Sequence, residues 1–270
     1  MSKNLPEKQP KTQILNLNSK LLGQKVPYYA IFPADYGESP TNFGVLYLLH
    51  GLFGRFDNWI TNTKIVEYAK DFPFLIICPD GGDNWYSDNE KVPNFFYESY
   101  IFQELIPAIE KNFKVNKSRE SRAIAGLSMG GYGAFKFAFR RPEMFCFAAS
   151  MSGAFHAAGI FDDESNQAWI ELFPSIPQIF GNNQEMVRQR NDLFQIVEKF
   201  PSKQIKNLPY FYFDCGAEDS FLPVNQRFAE LLTHRKIPHQ FIKTPGGHDW
   251  DYWNNRIKVL LSFVNAGLSR

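Results

Sequence analysis

Residues 122–141 read RAIAGLSMGGYGAFKFAFRR, a strand-like run and a helix-like run joined by the pentapeptide GLSMG. The apolar RAIA predicts a short strand, and the longer MGGYGAFKFAFR predicts a helix. The turn between them is so tight that the neighbours of its serine must be small, as Gly130 and Gly131 are. We therefore expect Ser128 to project its hydroxyl above one edge of a sheet.

Strand and helix patterns continue to alternate on both sides of this unit. Strand-like apolar runs lie at residues 14–18, 26–32, 43–49, 74–78, 122–125, 145–151, 209–213 and 239–243. Helical patterns separate most of them, which predicts parallel pairing through right-handed crossovers, with helices on both faces. The first two runs are joined only by a turn at Gly23 and predict an antiparallel edge. We predict an α/β fold with a mostly parallel sheet of about eight strands.

One stretch interrupts the alternation. Residues 154–203 put about fifty residues between two strands, too many for a simple crossover, and they carry helical pieces, the clearest at 191–200. This length predicts an insertion above the sheet and over the serine. No linker, repeat or low-complexity tract occurs elsewhere, so residues 1–270 are predicted to form a single domain. In the helical pattern of residues 97–113, Pro107 predicts a kink or a local break.

Charge and composition exclude several classes of protein. The 29 Lys and Arg residues nearly balance the 28 Asp and Glu residues, so no excess field attracts nucleic acid or a membrane surface. Cys78, Cys146 and Cys215 lack metal-type spacing and predict small buried free thiols and no metal site. The polar amino terminus and the short apolar runs predict no secretory signal and no membrane span, hence a cytoplasmic protein.

A serine hydroxyl becomes a nucleophile only when a base takes its proton and an acid holds that base. After a turn of this kind, the acid and then the histidine follow the serine in chain order. His50 precedes the serine, and His156 precedes every plausible acid. His234 lies in a helical pattern and His239 opens a strand. His248 follows a completed strand on a glycine-rich loop and is the predicted base.

The acid is expected just beyond the preceding strand, in the stretch DCGAED. Three carboxylates compete there. Asp214 lies at the end of the strand, and Glu218 can simply face solvent. Asp219 is far enough along the loop to reach the imidazole from above the sheet, so we favour it and keep the other two as alternatives.

An oxyanion hole needs preorganised N–H donors. One is the amide after the nucleophile, that of Met129, and the second is expected from the loop HGLFG after the third strand, where we assign it to Leu52. His50 is expected to brace this loop. The stretch DGGDNWY at residues 80–86 follows the next strand. Its residues fit a pocket wall, and ordinary turn chemistry explains them equally well.

Five motifs together resemble a known family: LLHGLFGRFDNW, PDGGDNWY, AGLSMGGYGAF, GAED and GGHDWDYW. They are similar to the esterase branch of the α/β-hydrolases, which includes tributyrin-type, feruloyl and acetylxylan esterases, S-formylglutathione hydrolase (esterase D) and mycolyltransferases. The resemblance spans roughly residues 14 to 266 and implies an α/β-hydrolase fold without a cofactor. It also implies roles as nucleophile, acid, base and oxyanion donors for Ser128, Asp219, His248, Leu52 and Met129.

Two differences between this chain and particular members of the family favour one activity over the others. S-formylglutathione hydrolases generally carry a cysteine in a GLTC-type loop, where this chain has Gly51-Leu52-Phe53-Gly54. Plant-wall esterases and mycolyltransferases are typically exported, whereas the polar amino terminus of this chain predicts no secretory signal. We therefore predict a serine carboxylesterase that hydrolyses short-chain acyl or aryl esters through an acyl-serine intermediate. The alternatives are an acyltransferase or a thioesterase of the S-formylglutathione-hydrolase type, and, less favoured, a binding protein on the same fold.

The expected substrate is a small ester in an aromatic-walled pocket. The insertion offers bulky apolar residues, some of which must only anchor it: Phe155, Ile160, Phe161, Trp169, Phe173, Ile176 and Phe180. On neighbouring loops, Phe53, Trp85 and Trp250 are the predicted substrate-binding residues. Oligomeric state is not predicted from the sequence.

Overall fold

The computed structural model describes residues 10–89, 91–159, 171, 173–181 and 186–268. These residues build one eight-stranded sheet in the order β1-β2-β4-β3-β5-β6-β7-β8. Strand β2 is antiparallel to β1 and β4, and all other neighbours are parallel. The strands are β1 (Thr12–Ser19), β2 (Gln24–Ile31), β3 (Gly44–Leu49), β4 (Phe74–Pro79), β5 (Arg122–Leu127), β6 (Phe147–Met151), β7 (Tyr210–Gly216) and β8 (His239–Thr244). The predicted sheet and its antiparallel edge are confirmed.

Helices cover both faces of the sheet. One face carries α1 (Asn58–Asn62), α2 (Ile65–Ala69) and α10 (Trp250–Leu268). The other carries α3 (Tyr97–Tyr100), α4 (Ile106–Asn112), α5 (Met129–Arg140), α6 (Ser175–Phe180), α8 (Leu193–Lys199) and α9 (Leu222–His234), with α7 (Met186–Asn191) beside α8. Central strands are therefore buried on both sides, which explains continuous apolar runs such as GVLYLL. None of the described helices is long and apolar enough to cross a membrane.

Two elements, β7 and α8, end or begin at other residues than predicted, in each case because of a specific hydrogen-bonding interaction. Strand β7 continues to Gly216, which pairs with Thr244 of β8, so Asp214 lies inside the strand. Helix α8 begins at Leu193 because the side chain of Asp192 caps it, accepting from the amides of Phe194 and Gln195.

The break expected near Pro107 is a π-helical turn. Residues Ile101–Leu105 connect α3 to α4, and the amide of Ile106 donates to the carbonyl of Ile101, five residues back. Proline has no N–H to continue the α-helical ladder, so the extra residue is accommodated in the turn before it.

The carboxyl ends of the parallel strands meet at one edge of the sheet, where the following loops gather. The turn after β5, the loop after β7 and the loop after β8 all open there, as does the chain after β3. Helices α6, α7 and α8 lie between β6 and β7, in the segment where we expect an insertion. The positions Ile160, Phe161 and Trp169, which we expect in its apolar wall, lie outside the described residues.

Candidate active site

The turn between β5 and α5 holds Ser128 in an unusual backbone conformation. Its φ and ψ are 51° and −115°, a combination that non-glycine residues seldom adopt. A Cβ on Gly126 would lie 2.4 Å from the carbonyl carbon of Gly130. A Cβ on Gly130 would lie 2.6 Å from the carbonyl oxygens of Leu49 and His50. The two glycines therefore permit the close packing that keeps the serine in this conformation.

Three side chains from separate loops form a line of hydrogen bonds. The Nε2 of His248 lies 3.0 Å from the Oγ of Ser128. Its Nδ1 lies 2.9 and 3.1 Å from the two carboxylate oxygens of Asp219. A carboxylate only accepts, so Nδ1 carries the proton and Nε2 is free to accept from the serine hydroxyl. This arrangement can transfer a proton from Ser128 to His248.

Asp219 is held in its ionised form. Its side chain is fully buried, which alone would raise its pKa, but hydrogen bonds from His248, Ser152 and the Phe221 amide outweigh burial and hold the pKa below the ordinary value. The Phe221 amide donates at 2.8 Å. A negative carboxylate at this place orients the imidazole and stabilises it when it gains a proton.

The competing carboxylates have other partners. Asp214 is fully buried and accepts from the hydroxyls of Tyr212 and Tyr252, both at 2.9 Å, and from Arg256 at 3.0 Å. Glu218 accepts from the amide of Gly246 at 2.5 Å. Among the three, the structure brings only Asp219 to His248.

The sequence profile of the family described as "Putative esterase" matches residues 19–263. The chain belongs to this esterase family. It is a serine hydrolase that acts on ester bonds, and its fold is that of the α/β-hydrolases.

Similar proteins are known in sequence and in structure. An acetyl esterase from Caldicellulosiruptor saccharolyticus is 30% identical over 254 residues, which are 90% of this chain and 94% of that protein. The fluorophosphonate-binding serine hydrolase F of Staphylococcus aureus is 27% identical with a TM-score of 0.81, over 94% of this chain and 98% of that one. An S-formylglutathione hydrolase from the same organism is 26% identical with a TM-score of 0.79, over 94% and 98%.

In this esterase, the loop after β3 lies directly against the turn that carries Ser128. A Cβ on Gly51 would lie 2.5 Å from the Leu127 side chain and 3.5 Å from the Cβ of Ser128. The amides of Leu52 and Met129 donate no hydrogen bond within the described part of the chain. Neither amide therefore has an acceptor among the described residues.

His50 braces this loop. Its ring is buried, and burial lowers its pKa, so the imidazole is neutral. Nδ1 donates to the Gly51 carbonyl at 2.7 Å, and Nε2 accepts from the Gly81 amide at 2.8 Å. The Tyr86 hydroxyl donates to the His50 carbonyl at 3.1 Å. His50 thus joins the loop after β3 to the loop after β4.

A cavity of about 490 Å³ opens beside Ser128 and His248. The three predicted substrate-binding residues all line it. Phe53 lies at the rim, 72% exposed, with its amide held by Asp83 at 2.6 Å. Trp85 is buried and donates from Nε1 to Ser175 at 3.2 Å. Trp250 packs edge-on against Trp59.

Of the described apolar residues between β6 and β7, some line the cavity and others pack into the core. Phe173 and Ile176 line it, together with Ala154 and Ala157. Phe155 packs instead against Phe228 in the core, with 4.4 Å between ring centroids, and Phe180 packs against Trp85 and Tyr132. The segment between β6 and β7 therefore has two roles. Phe155 and Phe180 pack it against the rest of the protein, and Phe173 and Ile176 line the cavity.

Sequence reasoning missed several residues of the site. Ser152 is buried with φ 51°, hydrogen-bonds Asp219 and accepts from the Nε1 of Trp253 at 3.3 Å. Phe221 and Trp253 flank the ring of His248, and both line the cavity. His156, which chain order excludes as the base, also lines the cavity. For Ser152 a signal existed, because it directly follows β6 at the edge where the other functional residues lie.

Proposed function

We propose that this esterase is a serine carboxylesterase in which Ser128 is the nucleophile, His248 the general base and Asp219 the acid that orients it. The unbroken Ser128–His248–Asp219 hydrogen-bond line beside a cavity supports this proposal most directly.

The reaction has two halves. His248 takes the hydroxyl proton as the Oγ of Ser128 attacks the carbonyl carbon of the ester. The ester C–O bond then breaks, and the leaving alkoxide receives that proton from His248, which leaves an acyl-serine. In the second half, water loses a proton to His248 and attacks the acyl-serine. The carboxylic acid leaves, and Ser128 recovers its proton.

The oxyanion donors in this proposal are the amides of Leu52 and Met129. Each intermediate is tetrahedral and carries a negative oxygen, so two N–H groups beside Ser128 would stabilise it. Their lack of other acceptors among the described residues supports this assignment.

For the substrate, we propose short-chain acyl or aryl esters. The size of the cavity and its mainly apolar wall favour a small apolar acyl group, with Phe53, Trp85 and Trp250 as contacts. We also propose that residues 154–203 act as a cover over this pocket within a single domain of residues 1–270. Phe173 and Ile176 in the wall support that role.

A thioesterase of the S-formylglutathione-hydrolase type is the second candidate, supported by the similarity to the S. aureus protein of that name. An acyltransferase would use the same three residues and differ only in the acceptor. Parallel assays with S-formylglutathione, with p-nitrophenyl butanoate, and with p-nitrophenyl butanoate plus an alcohol acceptor separate the three activities.

The proposal is tested with a fluorophosphonate probe. We expect wild-type protein to be labelled and Ser128→Ala to lose both labelling and turnover, by about 10⁶ in rate, because the nucleophile is gone. The variant Ser220→Ala changes a hydroxyl in the same cavity wall and should still be labelled. A wild-type protein that resists the probe and hydrolyses no activated ester would instead indicate a binding protein.

We also propose that the protein works in the cytoplasm on a small-molecule ester. Cys78, Cys146 and Cys215 are all free thiols, which suits a reducing compartment. Fractionation of cells that express the tagged chain would test the location.

A further inference from the structure

A lysine is completely buried on the helix that begins just after the proposed nucleophile. Lys136 lies in α5, about two turns of helix beyond Ser128. The proposed reaction does not use it, and the described residues that line the cavity do not include it. A buried ammonium group costs free energy unless its protons have acceptors, so its partners indicate what it holds in place.

The ammonium of Lys136 binds the turn after β4 and the segment between β6 and β7. It donates to the carbonyl of Tyr86 at 2.7 Å and to the Oγ of Ser87 at 2.6 Å. A longer bond of 3.3 Å reaches the Oδ1 of Asn191, the last residue of α7. Glu98 of α3 lies 3.3 Å away and forms an ion pair with it. Lys136 therefore connects the helix of the nucleophile to two segments that contribute residues to the cavity wall.

The turn that Lys136 contacts has a backbone conformation that needs support. Trp85 and Tyr86 are consecutive, and their φ angles are 51° and 49°. Bulky residues seldom adopt this left-handed conformation and keep it only where their surroundings hold them. Lys136 binds the carbonyl of Tyr86 directly. It also binds the hydroxyl of Ser87, which in turn donates to the carbonyl of Trp85 at 3.0 Å.

Trp85 is the residue of this turn that lines the cavity. Its ring packs against Tyr132 of α5 and Phe180 of α6, with 5.8 and 6.0 Å between ring centroids. Its Nε1 donates at 3.2 Å to Ser175, the first residue of α6, and the next residue, Ile176, also lines the cavity. A shift of the turn would therefore move the part of the wall that Trp85 and α6 form together.

The cluster around Lys136 is ionised at neutral pH. Burial would raise the pKa of Glu98, but Lys136 and Arg140 outweigh burial and hold that pKa below its ordinary value. Burial lowers the pKa of Lys136 to about 8, against the opposing effect of Glu98. Arg140 donates to Glu98 at 2.5 Å and to the Oδ1 of Asn191 at 3.2 Å. At pH 7 most molecules therefore carry a protonated Lys136.

We infer that Lys136 is a positioning residue for the acyl wall of the cavity, and that it sets the preference for acyl length by fixing the turn that carries Trp85. The inference rests on the proposed function, because a preference for acyl length requires that the cavity bind the ester. Without the ammonium, the turn loses its hydrogen bonds, and a looser wall should distinguish acyl chains less sharply.

The variant Lys136→Met tests the inference, because methionine fills most of the same volume and has no proton to donate. For the p-nitrophenyl esters of acetate, butanoate and hexanoate, kcat/KM is measured at pH 7, and the acyl spread is the ratio of the highest value to the lowest. A loss of folded protein lowers all three values equally and cancels in this ratio. We expect the variant to reduce the wild-type acyl spread by about 4-fold or more, which is the discrimination that one buried methylene provides.

Two further variants complete the series. Ser87→Ala removes only the link to the carbonyl of Trp85, so it should reduce the acyl spread by a smaller factor of about 2. Arg122→Met breaks another buried ion pair, with Glu110 at 2.6 Å, at the start of β5 and so at the end of the strand away from Ser128. It should lower the melting temperature and leave the acyl spread unchanged.

Three results would overturn the inference and leave the proposed function standing. One is a wild-type protein that hydrolyses the three esters with an acyl spread below about 4-fold. Another is an unchanged spread in Lys136→Met or, if that variant does not fold, in Ser87→Ala. The third is an equal reduction in Arg122→Met, which would make the change a general effect of losing a buried ion pair. Absence of turnover for every ester would instead overturn the proposed function, and the inference with it.

Discussion

Asp219 and Asp214 lie five residues apart in the chain and have different surroundings. Asp219 accepts from His248, whereas Asp214 accepts from two tyrosines and Arg256 within the buried core. We expect Asp219→Asn to fold normally and to lower turnover by about 10⁴, because an amide no longer holds the imidazole in the required tautomer. Turnover of p-nitrophenyl butanoate and the melting temperature are the measurements.

Asp214→Asn is the matched control. It removes a charge from a buried hydrogen-bonded cluster, so it should lower the free energy of unfolding by about 1–3 kcal/mol while folded molecules keep nearly wild-type turnover. The opposite pattern, a nearly wild-type Asp219→Asn and an inactive Asp214→Asn, would show that the acid is Asp214.

Protonation of His156 should contribute to the pH dependence of the free energy of unfolding. Its pKa is lowered to about 4 in the folded protein from an ordinary value of 6.5, so the unfolded chain binds more protons between these pH values. Its contribution to stability is therefore present above about pH 6.5 and is lost as the pH falls towards 4. Urea midpoints measured across this range should fall more steeply for the wild type than for His156→Gln. Parallel curves would mean that the folded state does not suppress protonation of His156.

At the scale of secondary-structure elements, the unit formed by β5, the serine turn and α5 depends on its contact with the end of β3. A Cβ at Gly130 would meet two backbone carbonyl oxygens at 2.6 Å, and backbone cannot move aside as a flexible side chain can. We expect Gly130→Ala to separate Ser128 from the loop that carries Leu52. Its free energy of unfolding should fall by about 1–3 kcal/mol or more, and its kcat should fall further than that of any surface variant.

Gly37→Ala provides the comparison. Gly37 is exposed, its φ is not positive, and an added Cβ would meet no atom within 4 Å. Its stability should stay within about 0.5 kcal/mol of the wild type. Equal urea midpoints and equal kcat values for the two variants would contradict the close packing described at Gly130.

The elements themselves were largely predictable from the sequence. Periodicity and turn residues located all eight strands to within a few residues, because central strands buried on both faces are continuously apolar. Their ends were less predictable. The end of β7 depends on pairing with β8, and the start of α8 depends on the Asp192 cap. The positions of Ser128, Asp219 and His248 followed from chain order, because each comes just after a parallel strand.

At the scale of the whole molecule, the cavity was the least predictable feature. Its wall combines Asn58 after β3, His156 after β6, Phe221 after β7 and Trp253 of α10. No sequence pattern connects these positions, since each wall residue is selected by contacts with segments far away in the chain. The role of Ser152 is not visible in the sequence for the same reason, because it depends on Asp219, in the loop after β7, and on Trp253, in α10.

The cavity volume leads to a prediction about substrate length. Each additional buried methylene of an acyl chain contributes about 0.8 kcal/mol while space remains, and overfilling a packed site costs about 1–3 kcal/mol. With about 490 Å³ to hold both parts of the ester, kcat/KM for p-nitrophenyl esters should peak between acetate and butanoate and fall steeply towards palmitate. A maximum at the long end, or a jump in rate at the micellar concentration of the substrate, would indicate a lipase.

A variant of the cavity wall shows whether the wall sets this limit. Ile176 is buried and lines the cavity, so Ile176→Ala adds space where we propose that the acyl chain lies. The optimum should move towards longer chains by one or two carbons, because each newly accommodated methylene gains its burial energy. Ile179→Ala removes the same atoms from α6 at a position that does not line the cavity, so it should cost stability without moving the optimum. If both variants keep the wild-type optimum, the chain-length limit lies elsewhere and the acyl group does not contact α6.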